Sequence, residues 1–77
     1  MYLIKMPNLG MTMLKGTVQE WRKEDGAPVK EGEDLVEVSS ESEKLTHVIQ
    51  ARQDGILRII VPVDGVIECG GVIGRVE

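Results

Sequence analysis

Lys44 is the residue whose setting most suits chemistry. It lies in Glu41-Ser42-Glu43-Lys44-Leu45, a polar stretch between two strand-like runs, Leu35-Val36-Glu37-Val38 and Leu45-Thr46-His47-Val48-Ile49. The stretch reads as the tip of a hairpin. A primary amine at such a tip has water on nearly all sides and suits covalent modification. The same residues also fit a solvated Glu-Lys surface pair of little energetic weight. Glu41 and Glu43 do not make a catalytic pair of carboxylates, since nothing around them is apolar enough to desolvate them. His47 is the only histidine and lacks companions for a metal site. Cys69, the only cysteine, is expected as a small buried apolar side chain. One histidine and one cysteine do not assemble a nucleophile, a base and oxyanion donors, so neither a catalytic set nor a metal site is expected.

Length and charge set further bounds. A chain of 77 residues is expected to be one domain, 1–77, burying roughly 60–65% of the surface its unfolded form exposes, so its core is thin. Acidic residues outnumber Lys and Arg by 13 to 9, for a net charge of -4. With no basic stripe and few aromatics, nucleic-acid binding has little electrostatic footing. The longest apolar run, Ile59 to Val63, is too short to cross a bilayer, and no secretory signal is visible. A lone cysteine fits a reducing compartment, and the expected location is the cytoplasm, with no membrane partner.

The elements that must position Lys44 are strands. Tyr2-Leu3-Ile4-Lys5-Met6 is β-prone and is stopped by Pro7. Asn8-Leu9-Gly10 reads as a turn, and Met11-Thr12-Met13-Leu14 as a loop with apolar anchors, its methionines packing on the core. Thr17 to Trp21 is strand-like, and Asp25-Gly26 is a strong turn signal. No apolar set recurs at helical spacing over three turns, so the chain is expected to be all-β.

The two halves repeat. Gly16, Asp25 and Gly26 are matched later, at one constant offset, by Gly55, Asp64 and Gly65. After a one-residue deletion, Val29, Gly32, Leu35 and Val38 are matched by Ile67, Gly70, Ile73 and Val76. Two copies of a four-strand unit would bury their apolar faces against each other as a flattened barrel or sandwich. The midpoint between Gly32 and Gly55 falls at Glu43-Lys44, on or near a pseudo-twofold axis. A hairpin folded there pairs Val38 with Ile49 and Val36 with Ala51, all four on one face. Gly55 is expected to be a turn glycine whose replacement by valine destabilises the fold.

These residues carry a resemblance to the lipoyl domains of the biotinyl/lipoyl carrier family, of the kind found in 2-oxo acid or acetoin dehydrogenase complexes. Met6-Pro7-Asn8-Leu9-Gly10 resembles the family's opening segment. Gly16-Thr17-Val18, Trp21, Asp25-Gly26, Leu35-Val36-Glu37-Val38 and Gly55-Ile56-Leu57 fall where the family has its strands and turns, and Glu43-Lys44 falls on its Asp-Lys. The resemblance covers essentially the whole chain. It implies two four-stranded antiparallel sheets with internal pseudo-twofold symmetry, and lipoate in amide linkage on Lys44. Glu41, Ser42, Glu43 and Leu45 would be read by the lipoate-attaching enzyme, and Asn8, Leu9, Gly10, Met11, Thr12 and Met13 would form a partner-recognition loop. The implied partners are a thiamine-diphosphate decarboxylase, an acyltransferase core and a dihydrolipoamide dehydrogenase, served by a monomeric carrier domain.

Two features depart from the family pattern: a two-residue insertion between Ser39 and Glu43, and Leu45 where a smaller or β-branched residue is usual. An unmodified lipoyl-like module is the alternative that the insertion raises. A biotin carrier would share the fold, but its lysine is usually flanked by methionines, where Glu43 and Leu45 stand here.

Overall fold

The computed structural model describes residues 2–8, 14–40 and 45–77. Eight strands form two four-stranded antiparallel sheets: β1 (Tyr2–Lys5), β2 (Lys15–Trp21), β3 (Pro28–Val29), β4 (Asp34–Ser40), β5 (Thr46–Gln50), β6 (Gly55–Ile59), β7 (Val66–Glu68) and β8 (Val72–Val76). One sheet has the order β1-β8-β6-β3 and the other β5-β4-β2-β7. Advancing every strand by four places converts one order into the other, so each sheet takes two strands from each copy. The copies are therefore interleaved, and neither has a core of its own.

The core follows the duplication. Val18 and Leu57, Leu35 and Ile73, and Val38 and Val76 are matched pairs, and all six are completely buried. Met6 and Ala51 form a further matched pair at 1% and 3% exposure. Burying each aliphatic side chain of this kind is worth about 1.5–3 kcal/mol. Trp21 packs against the cluster, and its indole Nε1 donates to the Val61 carbonyl at 2.8 Å.

Backbone hydrogen bonds repeat with the strands. Gly26 N donates to Leu57 O at 2.7 Å and Asp64 N to Val18 O at 2.8 Å; Gly32 N donates to Ala51 O and Gly70 N to Met6 O, both at 2.8 Å. These bonds equate Gly26 with Asp64, whereas matching the two Asp-Gly dipeptides equates Gly26 with Gly65. In the turn Glu24–Ala27 the left-handed third residue is Gly26 (φ 86), and in Pro62–Gly65 it is Asp64 (φ 73). Glycine reaches that region without steric cost, and aspartate is among the side chains that tolerate it. The one-residue deletion thus lies before the turn, and the second Asp-Gly is out of phase with the first.

Three other expectations change. Gly55 is not at a turn and has no positive φ; it opens β6, where a Cβ would overlap the Glu77 carbonyl oxygen and come within 2.7 Å of Val76 Cγ1. Gly55→Val should still destabilise, by about 3 kcal/mol, because the obstruction is neighbouring backbone. Leu14, read as an apolar anchor, is 80% exposed. Cys69 is half-buried at the margin of the core.

Candidate functional site at the end of the β4–β5 hairpin

The β4–β5 hairpin closes on a hydrogen bond from Ser40 N to Leu45 O at 2.8 Å, which leaves a four-residue tip, 41–44. Lys44, Glu41, Ser42 and Glu43 lie outside the described residues, as do 9–13 of the expected recognition loop. Their flanks are described. Leu45 and Asn8 are both exposed at the surface.

The register differs from the expected one. Val38 stands opposite His47 and Val36 opposite Ile49, with Ser39 opposite Thr46. Ala51 does not pair with Val36: its N–H donates to Glu33 O at 2.8 Å and its carbonyl accepts from Gly32 N. These bonds anchor the base of the hairpin and slide β5 by two residues. An even slip preserves the faces, so Val36, Val38, Ile49 and Ala51 still point inward as expected.

β4 continues past the last core valine, Val38, with Ser39 and Ser40 still paired to Thr17 and Gly16 of β2. Strand pairing therefore extends to Ser40, immediately before the 41–44 segment. Both serines are buried, and Ser39 Oγ accepts a 2.6 Å hydrogen bond from Gln19 Nε2. This brace sits immediately below the tip. The alternation along Thr17 to Trp21 places Gln19 on the same side as Thr17, but the sequence carries no signal that Ser39 is its partner.

Strand connectivity puts the described flanks of the 9–13 and 41–44 segments at one end of the barrel. Gly16 pairs with Ser40 on one side and Ile67 on the other, and Lys15 pairs with Glu68. Cys69 N donates to Leu14 O at 3.0 Å, while Gly70 N bonds to Met6 O. Both flanks of the 9–13 segment are thus fixed beside the β7–β8 turn, at the end to which β4 delivers the tip. Exposed Leu14 and Leu45 lie at this end. The pairing of Tyr2 with Val76 lies at the opposite end.

Electrostatic perturbation is found away from the tip. The Glu33 carboxyl is held below the usual glutamate value by a hydrogen bond from Lys23 and by the Lys30 backbone N–H. Glu77 is lowered in the same direction by hydrogen bonds from Arg58 and then Arg75. Among the described residues, no three His, Cys, Asp or Glu side chains converge as a metal site would require, and His47 is exposed. No helix among them is long and apolar enough to cross a membrane.

Known proteins align along most of this chain. The biotin/lipoyl family model, described as biotin-requiring enzyme, matches residues 3–76. The dihydrolipoyllysine-residue succinyltransferase component of the 2-oxoglutarate dehydrogenase complex of Rickettsia felis is 36% identical over 75 residues, 96% of this chain and 18% of that protein. The dihydrolipoyllysine-residue acetyltransferase component of the acetoin cleaving system of Bacillus subtilis is 41% identical over 54 residues, 70% of this chain and 13% of that protein. The chain therefore spans less than a fifth of these relatives. The solution structure of the lipoyl domain of the 2-oxoglutarate dehydrogenase complex from Azotobacter vinelandii superposes with a TM-score of 0.83 at 26% identity, covering 100% of this chain and 96% of that one.

Proposed function

Because this chain belongs to the biotin/lipoyl carrier family, as a lipoyl domain of the kind found in 2-oxo acid and acetoin dehydrogenase acyltransferases, we propose that it is a swinging-arm carrier lipoylated on Lys44. The observation that carries this reading is the hairpin closed by Ser40 and Leu45, whose four-residue tip contains one lysine and no other amine. An amine is the group needed to form an amide with the carboxyl of lipoate. The closing hydrogen bond and the Gln19–Ser39 brace hold the strand ends that flank 41–44 and give the attaching enzyme a fixed base to recognise.

Lipoate supplies, when attached, a dithiolane that takes up an acyl group and two electrons together and is restored by thiol–disulfide exchange. The chain contributes reach and recognition and no catalysis. Lys44 fixes the arm at the end of the barrel remote from the Tyr2–Val76 pair, which raises its local concentration at successive active sites toward millimolar levels. Leu45 and the 41–43 segment are presented to the attaching enzyme, and the segment from Asn8 to Met13 to partner enzymes. Those partners are a thiamine-diphosphate decarboxylase, an acyltransferase core and a dihydrolipoamide dehydrogenase. The net charge of -4 favours basic surfaces on them. We place the domain in the cytoplasm as a monomer.

The test is functional. The lipoylated chain, incubated with a bacterial 2-oxoglutarate or acetoin decarboxylase and labelled substrate, should gain label as a hydroxylamine-sensitive acyl group. Lys44→Ala should gain none. Equal labelling of the variant would refute the assignment.

A further inference from the structure

Away from the tip, the outer edges of β1 and β5 face each other across the open side of the barrel and enclose a groove of about 320 Å³. The duplication relates these strands to each other: Ile4 matches Ile49, and the two form an aliphatic floor. The groove is closed at one end by a hydrogen bond from Arg52 N to the Tyr2 hydroxyl at 2.9 Å. Each strand is hydrogen-bonded on one side only, which leaves backbone donors and acceptors along the groove.

The charge of this groove is opposite to that of the chain. Lys5 and Arg52 line it and, among the described residues, no carboxylate does, although Asp and Glu number 13 in the sequence. Arg22, Lys23, Arg58 and Arg75 are each engaged by a glutamate, whereas Lys5 and Arg52, like Lys15 and Lys30 outside the groove, make no ion pair among the described residues. Two uncommitted cations flanking an aliphatic floor and two strand edges suit an extended segment that alternates acidic and aliphatic residues. Its backbone would pair with an edge, one face would fill the floor, and its carboxylates would meet Lys5 and Arg52.

We propose that the β1/β5 groove docks an acidic, extended segment of a partner protein. Such docking is independent of the state of Lys44 and would hold the carrier beside its partner while leaving the tip free.

The test uses the unmodified chain, isotopically labelled, and a capped seven-residue peptide alternating Glu and Val, with a Lys/Val peptide as control. Amide shifts confined to residues 2–7 and 47–52 are expected with the acidic peptide only. Affinity should fall several-fold in 0.5 M NaCl and at least tenfold in Lys5→Glu/Arg52→Glu, a variant whose remaining spectrum should be unchanged. No shift in either strand at millimolar acidic peptide, or equal binding by the charge-reversed variant, would overturn the proposal. If the wild type binds nothing and Lys5→Gln/Arg52→Gln self-associates, the cations are edge guards and the proposal is wrong.

Discussion

The pairs Gln19–Ser39 and Arg58–Glu77 occupy matching places in the two copies, one bridging β2 to β4 and the other joining β6 to the residue after β8. The first is a neutral hydrogen bond of 2.6 Å whose serine is 8% exposed. The second is an ion pair of 3.0 Å, shared with Arg75 and open to solvent. The backbone around them is the same: Ser39 pairs with Thr17, and Glu77 exchanges hydrogen bonds with Ile56. Register is thus held by main-chain bonds and core valines, and the side chains are free to differ according to whether water reaches them. Beneath the tip, where Ser39 and Ser40 are buried, an ion pair would lose much of its attraction to desolvation, and a neutral brace avoids that cost. At the exposed end an ion pair costs little and contributes little.

A second contrast is steric. Val36 of β4 matches Gly74 of β8, and the difference is accounted for by Trp21, whose Cη2 would lie 2.8 Å from a Cβ at position 74, with the Arg58 carbonyl at 3.0 Å. Making the copies alike by Gly74→Val should give the largest effect of these contrasts, a loss of about 3 kcal/mol by chemical denaturation. An unchanged midpoint would mean that the indole moves aside freely.

Next in size, Ser39→Ala should cost about 1 kcal/mol, by removing the hydrogen bond that Gln19 donates to the buried Ser39 hydroxyl. The loss should be the same at every pH from 7 to 3, because neither partner titrates. Glu77→Gln should have the smallest effect at neutral pH and a different signature. The folded carboxyl is held below its unfolded value by Arg58 and Arg75. It therefore stabilises the fold above the ordinary glutamate range, and that stabilisation is lost as pH falls through the folded value. Thermal melts of the wild type should decline with acid across this window, and Glu77→Gln should decline less steeply. The remaining slope belongs in part to Glu33, whose carboxyl is lowered by Lys23. A parallel decline in wild type and variant would show the ion pair to be thermodynamically silent.

Much of this architecture is legible in the sequence, because glycine and proline punctuate it and alternation marks the inner face of each strand. The duplication is visible through matched apolar positions such as Leu35 with Ile73 and Val38 with Val76. What sequence reasoning misplaces is phase. Asp25-Gly26 and Asp64-Gly65 are identical dipeptides, but the left-handed position falls on the glycine in one and on the aspartate in the other. Only the hydrogen bonds around each turn reveal this. The hairpin register is misjudged for a related reason: it is fixed at its base by Ala51 bonding to Gly32 and Glu33, and an even slip leaves no trace in the apolar pattern. The β1/β5 groove is invisible in the sequence because Lys5 and Arg52 are far apart along the chain and meet only through the fold.

The insertion between Ser39 and Glu43 bears on the central claim. Strand β4 runs on to Ser40 and leaves a four-residue tip with Lys44 next to Leu45. The most direct test supplies the chain with lipoate and a lipoate ligase alongside biotin and a biotin ligase, then weighs it intact and sequences the tip peptide by tandem mass spectrometry. One lipoyl addition, located on Lys44 and absent from Lys44→Ala, is the predicted result. An unmodified mass where a control lipoyl domain is fully modified, a biotinyl addition, or a lipoyl group on another lysine would contradict it.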